Sequence, residues 1–107
     1  MESKNISLPR LNNLNPTLES TALKLMEEAG ELAQAIGKFR GLSGESISYE
    51  EKEVIEMIID ELFDVAQTAV SMMFVLEEVH QADLNEALQK HLSKLKAKGY
   101  LKTEEQN

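Results

Sequence analysis

The sequence predicts an all-α chain, and three observations lead there. Both prolines, Pro9 and Pro16, fall within the first sixteen residues, so beyond them no residue lacks the backbone donor a helix needs. From Leu18 onward apolar residues recur at alternating spacings of four and three, the period of one helix face. The strict apolar–polar alternation of a half-buried strand is missing. The expected architecture is a helical bundle of three main helices per chain, completed by homo-oligomerisation. Its helical domain spans residues 17–100, preceded by an N-terminal arm (1–16) and followed by a disordered tail (101–107).

Asn15 is placed to cap the first helix, with Pro16 at the first helical position, a pairing that helices favour. Leu18, Ala22, Leu25, Ala29, Leu32, Ile36 and Phe39 then form one stripe, and the first helix is predicted over about 17–39. "RGLSGESIS" at 40–48 carries two glycines and three serines and reads as a loop. Ser48 with Glu51 makes a capping box that opens a second helix, continuing to about Val79. Asp83 and Glu86 repeat the pattern at the start of a third, and Gly99 is its stop signal. In the arm, Leu8, Leu11 and Leu14 offer apolar contacts to a neighbouring subunit, a point that sequence alone leaves open.

With 107 residues the chain is a single small domain. A formal charge of −8 argues against binding a nucleic-acid polymer, which requires a basic face. Cysteine is absent, which removes disulfides, thiolate metal sites and cysteine nucleophiles. "MESKNISLPRLNNLNP" contains no apolar core of a signal peptide. The uncharged run from Val65 to Leu76 is shorter than the roughly 20 residues of a membrane span. A soluble, cytoplasmic protein is expected.

The second helix carries more apolar surface than two neighbours can cover. Its polar residues concentrate on a narrow stripe of Glu56, Asp60, Asp64, Gln67 and Ser71, with Glu61 and Thr68 beside it. Large apolar faces of this kind mark interfaces, so a homo-oligomer is expected, with the second helix central to the shared bundle. Four acids border these apolar runs: Glu28 and Glu31 in "LMEEAGELAQAI" (25–36), and Glu61 and Asp64 in "IIDELFDVAQ" (59–68). Each pair is three residues apart and shares one helix face. If the two helices pack antiparallel, the pairs meet, and gathered carboxylates must either protonate or bind a cation. All-oxygen ligands suit hard cations, Mg²⁺ or Mn²⁺ before zinc, and Mg²⁺ keeps positions open for phosphate oxygens. The alternative is that the acids line a solvated face, as Glu50, Glu53 and Glu56 do.

"EEAGELAQAI" followed by "DELFDVAQTAV" resembles the EExxE…ExxD signature of the MazG-like nucleotide pyrophosphohydrolases, over roughly residues 17–100. The resemblance implies a Mg²⁺-dependent enzyme of dimeric or tetrameric helical bundles that converts nucleoside triphosphates to monophosphate and pyrophosphate. Carried over position by position, it implies metal ligands at Glu28, Glu31, Glu61 and Asp64, with Glu27 in an outer, water-positioning place. The chain departs from the family in a long spacer between Glu31 and Glu61 and in having no tryptophan, which leaves the loop geometry and the preferred base open.

A triphosphate needs further cations. Lys38 and Arg40 in "GKFRG" (37–41) are candidates to meet phosphates, or else they complement the C-terminal dipole of the first helix. "KHLSKLKAKGYLK" (90–102) is basic throughout; Lys94 and Lys98 share a face there and are candidates for the same role, against a dipole-matching helix end. Glu77 and His80 form a single Glu-x-x-His, whereas a di-iron bundle needs two. Two rivals to the hydrolase stand: a non-catalytic helical interaction module, and a carboxylate-rich metal-binding bundle of redox type.

Overall fold

The computed structural model describes residues 2–40 and 50–102. They form three helices, α1 (Leu18–Phe39), α2 (Glu51–His80) and α3 (Leu84–Ala97), with no strand among the described residues.

The helix ends show which local signals prevailed. Asn15 does not cap α1; Thr17 does. The Thr17 hydroxyl accepts from the Ser20 amide at 3.0 Å, and the Ser20 hydroxyl accepts from the Thr17 amide at 2.8 Å. This reciprocal box satisfies two donors that a helix start leaves open. Asn15 and Pro16 therefore lie before the helix. Ser48 of the box predicted for the second helix lies outside the described residues. α2 starts behind Glu50, whose side chain makes no capping bond, and its first turn carries Glu51 and Glu53 against the positive dipole end. Gln81 closes α2 in the left-handed region at φ 53°. Asp83 caps α3 as expected, accepting from the Glu86 amide at 3.0 Å. Gly99, at φ 79°, ends α3: its amide reaches the Lys96 carbonyl at 3.0 Å and that of Tyr100 reaches Leu95 at 2.9 Å, the two bonds of a Schellman stop.

α1 and α2 run antiparallel. Lys38 and Phe39 at the end of α1 border a recess with Glu51 and Val54 at the start of α2. Thr21 and Lys24 at the other end share one with Gln67, Thr68 and Ser71. Among the described residues only three apolar side chains are buried, Ala35, Val54 and Val75, against four polar ones, Thr21, Glu28, Thr68 and Ser71. α3 buries none of its residues, and among the described residues α1 against α2 is the one extensive helix pairing. The chain is flat, 48 × 46 × 20 Å, with a radius of gyration of 17.6 Å against about 13 Å for a compact chain of this length. Leu23 and Met26 are 74% exposed, Leu62 52% and Phe63 44%. Among the described residues no helix is long and apolar enough to cross a membrane.

The N-terminal arm lies on α2 of its own chain. Gln67 Nε2 donates to the Pro9 carbonyl at 2.8 Å. Arg10 pairs with Glu78 and sets its guanidinium 4.5 Å from the centre of the Phe74 ring, a cation–π contact.

Because Thr17 and not Asn15 carries the α1 cap, Thr17→Ala is expected to lower unfolding free energy by about 1 kcal/mol, a fall of a few degrees in Tm. Asn15→Ala is expected to leave Tm near that of the unaltered chain. Thermal melts of the two variants side by side check the assignment; a larger loss from Asn15→Ala contradicts it.

Candidate metal centre

α1 projects Glu28 and Glu31 from one face, and the antiparallel packing brings Glu61 of α2 against them. One carboxylate oxygen from each lies within 4.8 Å of the others. Glu28 is 6% exposed, and Glu31 and Glu61 are half-buried. The Oε2 atoms of Glu28 and Glu61 are buried without a hydrogen-bond partner. Such atoms are costly, since each has given up water for nothing, and carboxylates add mutual repulsion. The Glu31 carboxyl bears the consequence. The adjacent Glu28 charge, then loss of solvation, then the Glu61 charge hold its pKa above the ordinary carboxylate value.

The remaining predicted residues lie around this trio. Asp64, exposed and one turn along α2 from Glu61, is not among the three converging acids. It lines, with Glu28, a recess of about 460 Å³ between α1, α2 and the arm. Ser71, whose buried hydroxyl also has no partner, lines the same recess. Glu27 is exposed and faces Lys24 at 3.5 Å, outside the trio. Lys38 and Arg40 sit two turns or more beyond Glu31, at the recess bordered by Glu51, where the Arg40 guanidinium lies 4.7 Å from the Phe39 ring. Lys94 and Lys98 are exposed on the projecting α3 and its C-cap. The structure therefore gathers Glu28, Glu31 and Glu61, sets Asp64 beside them, and leaves the four cations elsewhere.

Sequence reasoning overlooked one residue. Lys24, one turn before Glu28, sets its Nζ 3.0 Å from Glu28 Oε1 and lines the recess with Glu28 and Asp64. The hydrogen bond to Glu28, then the charges of Glu27 and Glu28, raise the pKa of its ammonium. The signal was present in the i,i+4 spacing of Lys24 and Glu28, a spacing that also describes ordinary surface pairs on a helix.

A trio of carboxylates with unpartnered buried oxygens fits a hard divalent cation. Histidine is absent from the cluster; His80 ends α2, exposed. The sequence compared as a whole agrees with this chemistry: the family model for the MazG nucleotide pyrophosphohydrolase domain matches residues 16–99. The chain belongs to the MazG family. Comparison with curated proteins and with solved structures gives no match. The MazG match runs from Pro16 through all three helices and includes both acid pairs, while Pro9 and Arg10 of the arm precede it. Nucleotide pyrophosphohydrolysis is the family's activity, and the trio lies within its matched region.

The raised Glu31 pKa fixes the sign of a pH effect. Folded Glu31 holds its proton to higher pH than the unfolded chain does. Its destabilising charge is thus absent below the ordinary carboxylate range and fully present above the raised value. In the metal-free protein, Glu31→Gln is expected to melt above the unaltered chain at neutral pH. The gap should close as pH falls through the carboxylate range. Melts from pH 7 to 3.5 in chelator check this; a gap that widens on acidification contradicts it.

Proposed function

We propose that the protein is a Mg²⁺-dependent nucleoside triphosphate pyrophosphohydrolase, converting a (d)NTP to (d)NMP and pyrophosphate. The observation that carries the reading is the meeting of Glu28, Glu31 and Glu61, with two buried carboxylate oxygens left unpartnered inside the region that matches the MazG domain. Glu28, Glu31 and Glu61 would hold Mg²⁺, or Mn²⁺ in its place, with Asp64 completing the set from the next turn of α2. When bound, the cation supplies Lewis-acid polarisation of a phosphoryl oxygen and lowers the pKa of water.

The chain's own residues do the rest. The recess bordered by Glu28, Asp64, Gln67 and Ser71 has room for a nucleoside and brings polar groups to its wall. Glu27, exposed on the neighbouring position of α1, is suited to orient the attacking water. In-line attack of water on the α-phosphorus forms the new P–O bond as the bond to the bridging oxygen breaks; pyrophosphate departs with that oxygen, and one of the cluster's carboxylates takes the water's proton. Lys38, Arg40, Lys94 and Lys98 are the proposed cations for phosphate charge, a role that in P-loop and kinase sites also falls to side-chain cations.

The exposed apolar faces of α1 and α2 belong, in this reading, against a second copy in a cytoplasmic dimer or tetramer. The area left open on Leu23, Met26, Leu62 and Phe63 is of the kind that marks an interface.

Incubation with a panel of canonical and modified nucleoside triphosphates is expected to release pyrophosphate with Mg²⁺ and none with EDTA. Glu61→Gln and Glu28→Gln should each lower turnover by more than the roughly hundredfold that loss of an outer-shell partner costs, with helical circular dichroism intact. No turnover of any triphosphate across the panel, or undiminished turnover in EDTA, overturns the reading. Separately, light scattering should give the mass of a dimer or tetramer, and Phe63→Glu should shift it toward one chain.

A further inference from the structure

Glu28 is the most buried acid of the trio, and its charge is met on one side by Lys24 Nζ at 3.0 Å from Oε1 and on the other by nothing, Oε2 being unpartnered. A divalent ion held by that carboxylate would place a second cation beside the first. Like charges a few ångström apart repel even at a solvent-screened site, so Lys24 stabilises the metal-free state and opposes metal binding. Its side chain is 53% exposed on a flexible four-carbon stem, and it borders the recess that Glu28 and Asp64 share. Triphosphate oxygens in that recess offer the ammonium a partner of higher charge than one carboxylate.

We propose that Lys24 is a movable counter-ion that couples nucleotide to metal. It neutralises Glu28 before a divalent ion binds and transfers to phosphate oxygens when the triphosphate arrives. Metal and nucleotide then each raise the other's affinity by more than their direct contact alone provides, a reciprocity that linkage requires. The inference rests on the proposed function for its ligands. It assigns Lys24, which the sequence motif does not include, as a substrate-contacting and positioning residue.

The probe is Mn²⁺, titrated by calorimetry into the full chain with and without a non-hydrolysable α,β-methylene nucleoside triphosphate. Lys24→Gln removes the charge yet keeps a donor for Glu28. It is expected to bind Mn²⁺ alone on the order of tenfold tighter than the unaltered chain, with a smaller gain on adding the analogue. Lys24→Arg keeps the charge and should behave as the unaltered chain does. Lys90→Gln on α3, which removes a cation paired with Glu86 at 3.4 Å, should change neither affinity.

If Lys24→Gln unfolds without metal, the Mn²⁺ concentration that restores its helicity, corrected for the folding free energy of the metal-free variant, reads the same affinity, because binding and folding are then linked. Equal or weaker Mn²⁺ binding by Lys24→Gln, or an undiminished gain from the analogue, overturns the inference while leaving the hydrolase reading intact. No Mn²⁺ binding by the unaltered chain overturns both.

Discussion

Everything else in this structure depends on how the Glu28, Glu31 and Glu61 charges are borne at the α1–α2 interface. A helix pair with an apolar core of Ala35, Val54 and Val75 has little stability to spend on repulsion, since burial of such small side chains contributes only about 1.5–3 kcal/mol for each larger one. Yet the chain places Glu28 at the interface at 6% exposure and faces it with a second acid whose Oε2 is equally unpartnered. An arrangement that costs stability in a marginal fold is a reason to look for a ligand, because strain of this sort collects at functional sites. Lys24 offsets part of it from one side. The other side is open to a cation.

The fold serves that arrangement by geometry that is simple to trace. Two acids three apart on α1 face one way; α2 runs back along the same line; Glu61 arrives at their level. The Thr17 box fixes where α1 begins, hence which residues face α2, and the arm tied through Gln67 and Arg10 walls the recess beside the acids. α2 is long at 30 residues because one stretch meets Glu28 and Glu31 while the stretch around Phe74 and Glu78 receives the arm.

Much of this was legible beforehand, and the parts that were not share a cause. Helical spacing revealed α1, α2 and α3, and local chemistry revealed the Asp83 cap and the Gly99 stop, since each needs only neighbours in sequence. The meeting of Glu28 and Glu31 with Glu61 followed from one tertiary assumption, antiparallel packing. The Thr17 cap escaped because its partner at the third position is Ser20 and not the Glu or Gln of the usual box. Asp64 apart from the trio, the arm on α2 and α3 away from the α1–α2 pair depend on side-chain direction and on long-range contacts. No window of sequence encodes those.

The flat shape ties the site to assembly. α1 and α2 each have two sides that could be covered, and the chain covers one. Exposed Leu62 and Phe63 follow Glu61 on α2, and exposed Met26 stands two residues from Glu28 on α1. Leu62 stands next to Glu61, so a surface that buried it would also withdraw water from that edge of the trio, whereas Met26, two residues from Glu28, faces the other way. Lower local dielectric strengthens both the repulsion among the acids and their attraction for a cation, so covering the Leu62 face would sharpen the demand for a divalent ion already visible in one chain. Covering that face and binding a cation would then be two parts of one electrostatic problem.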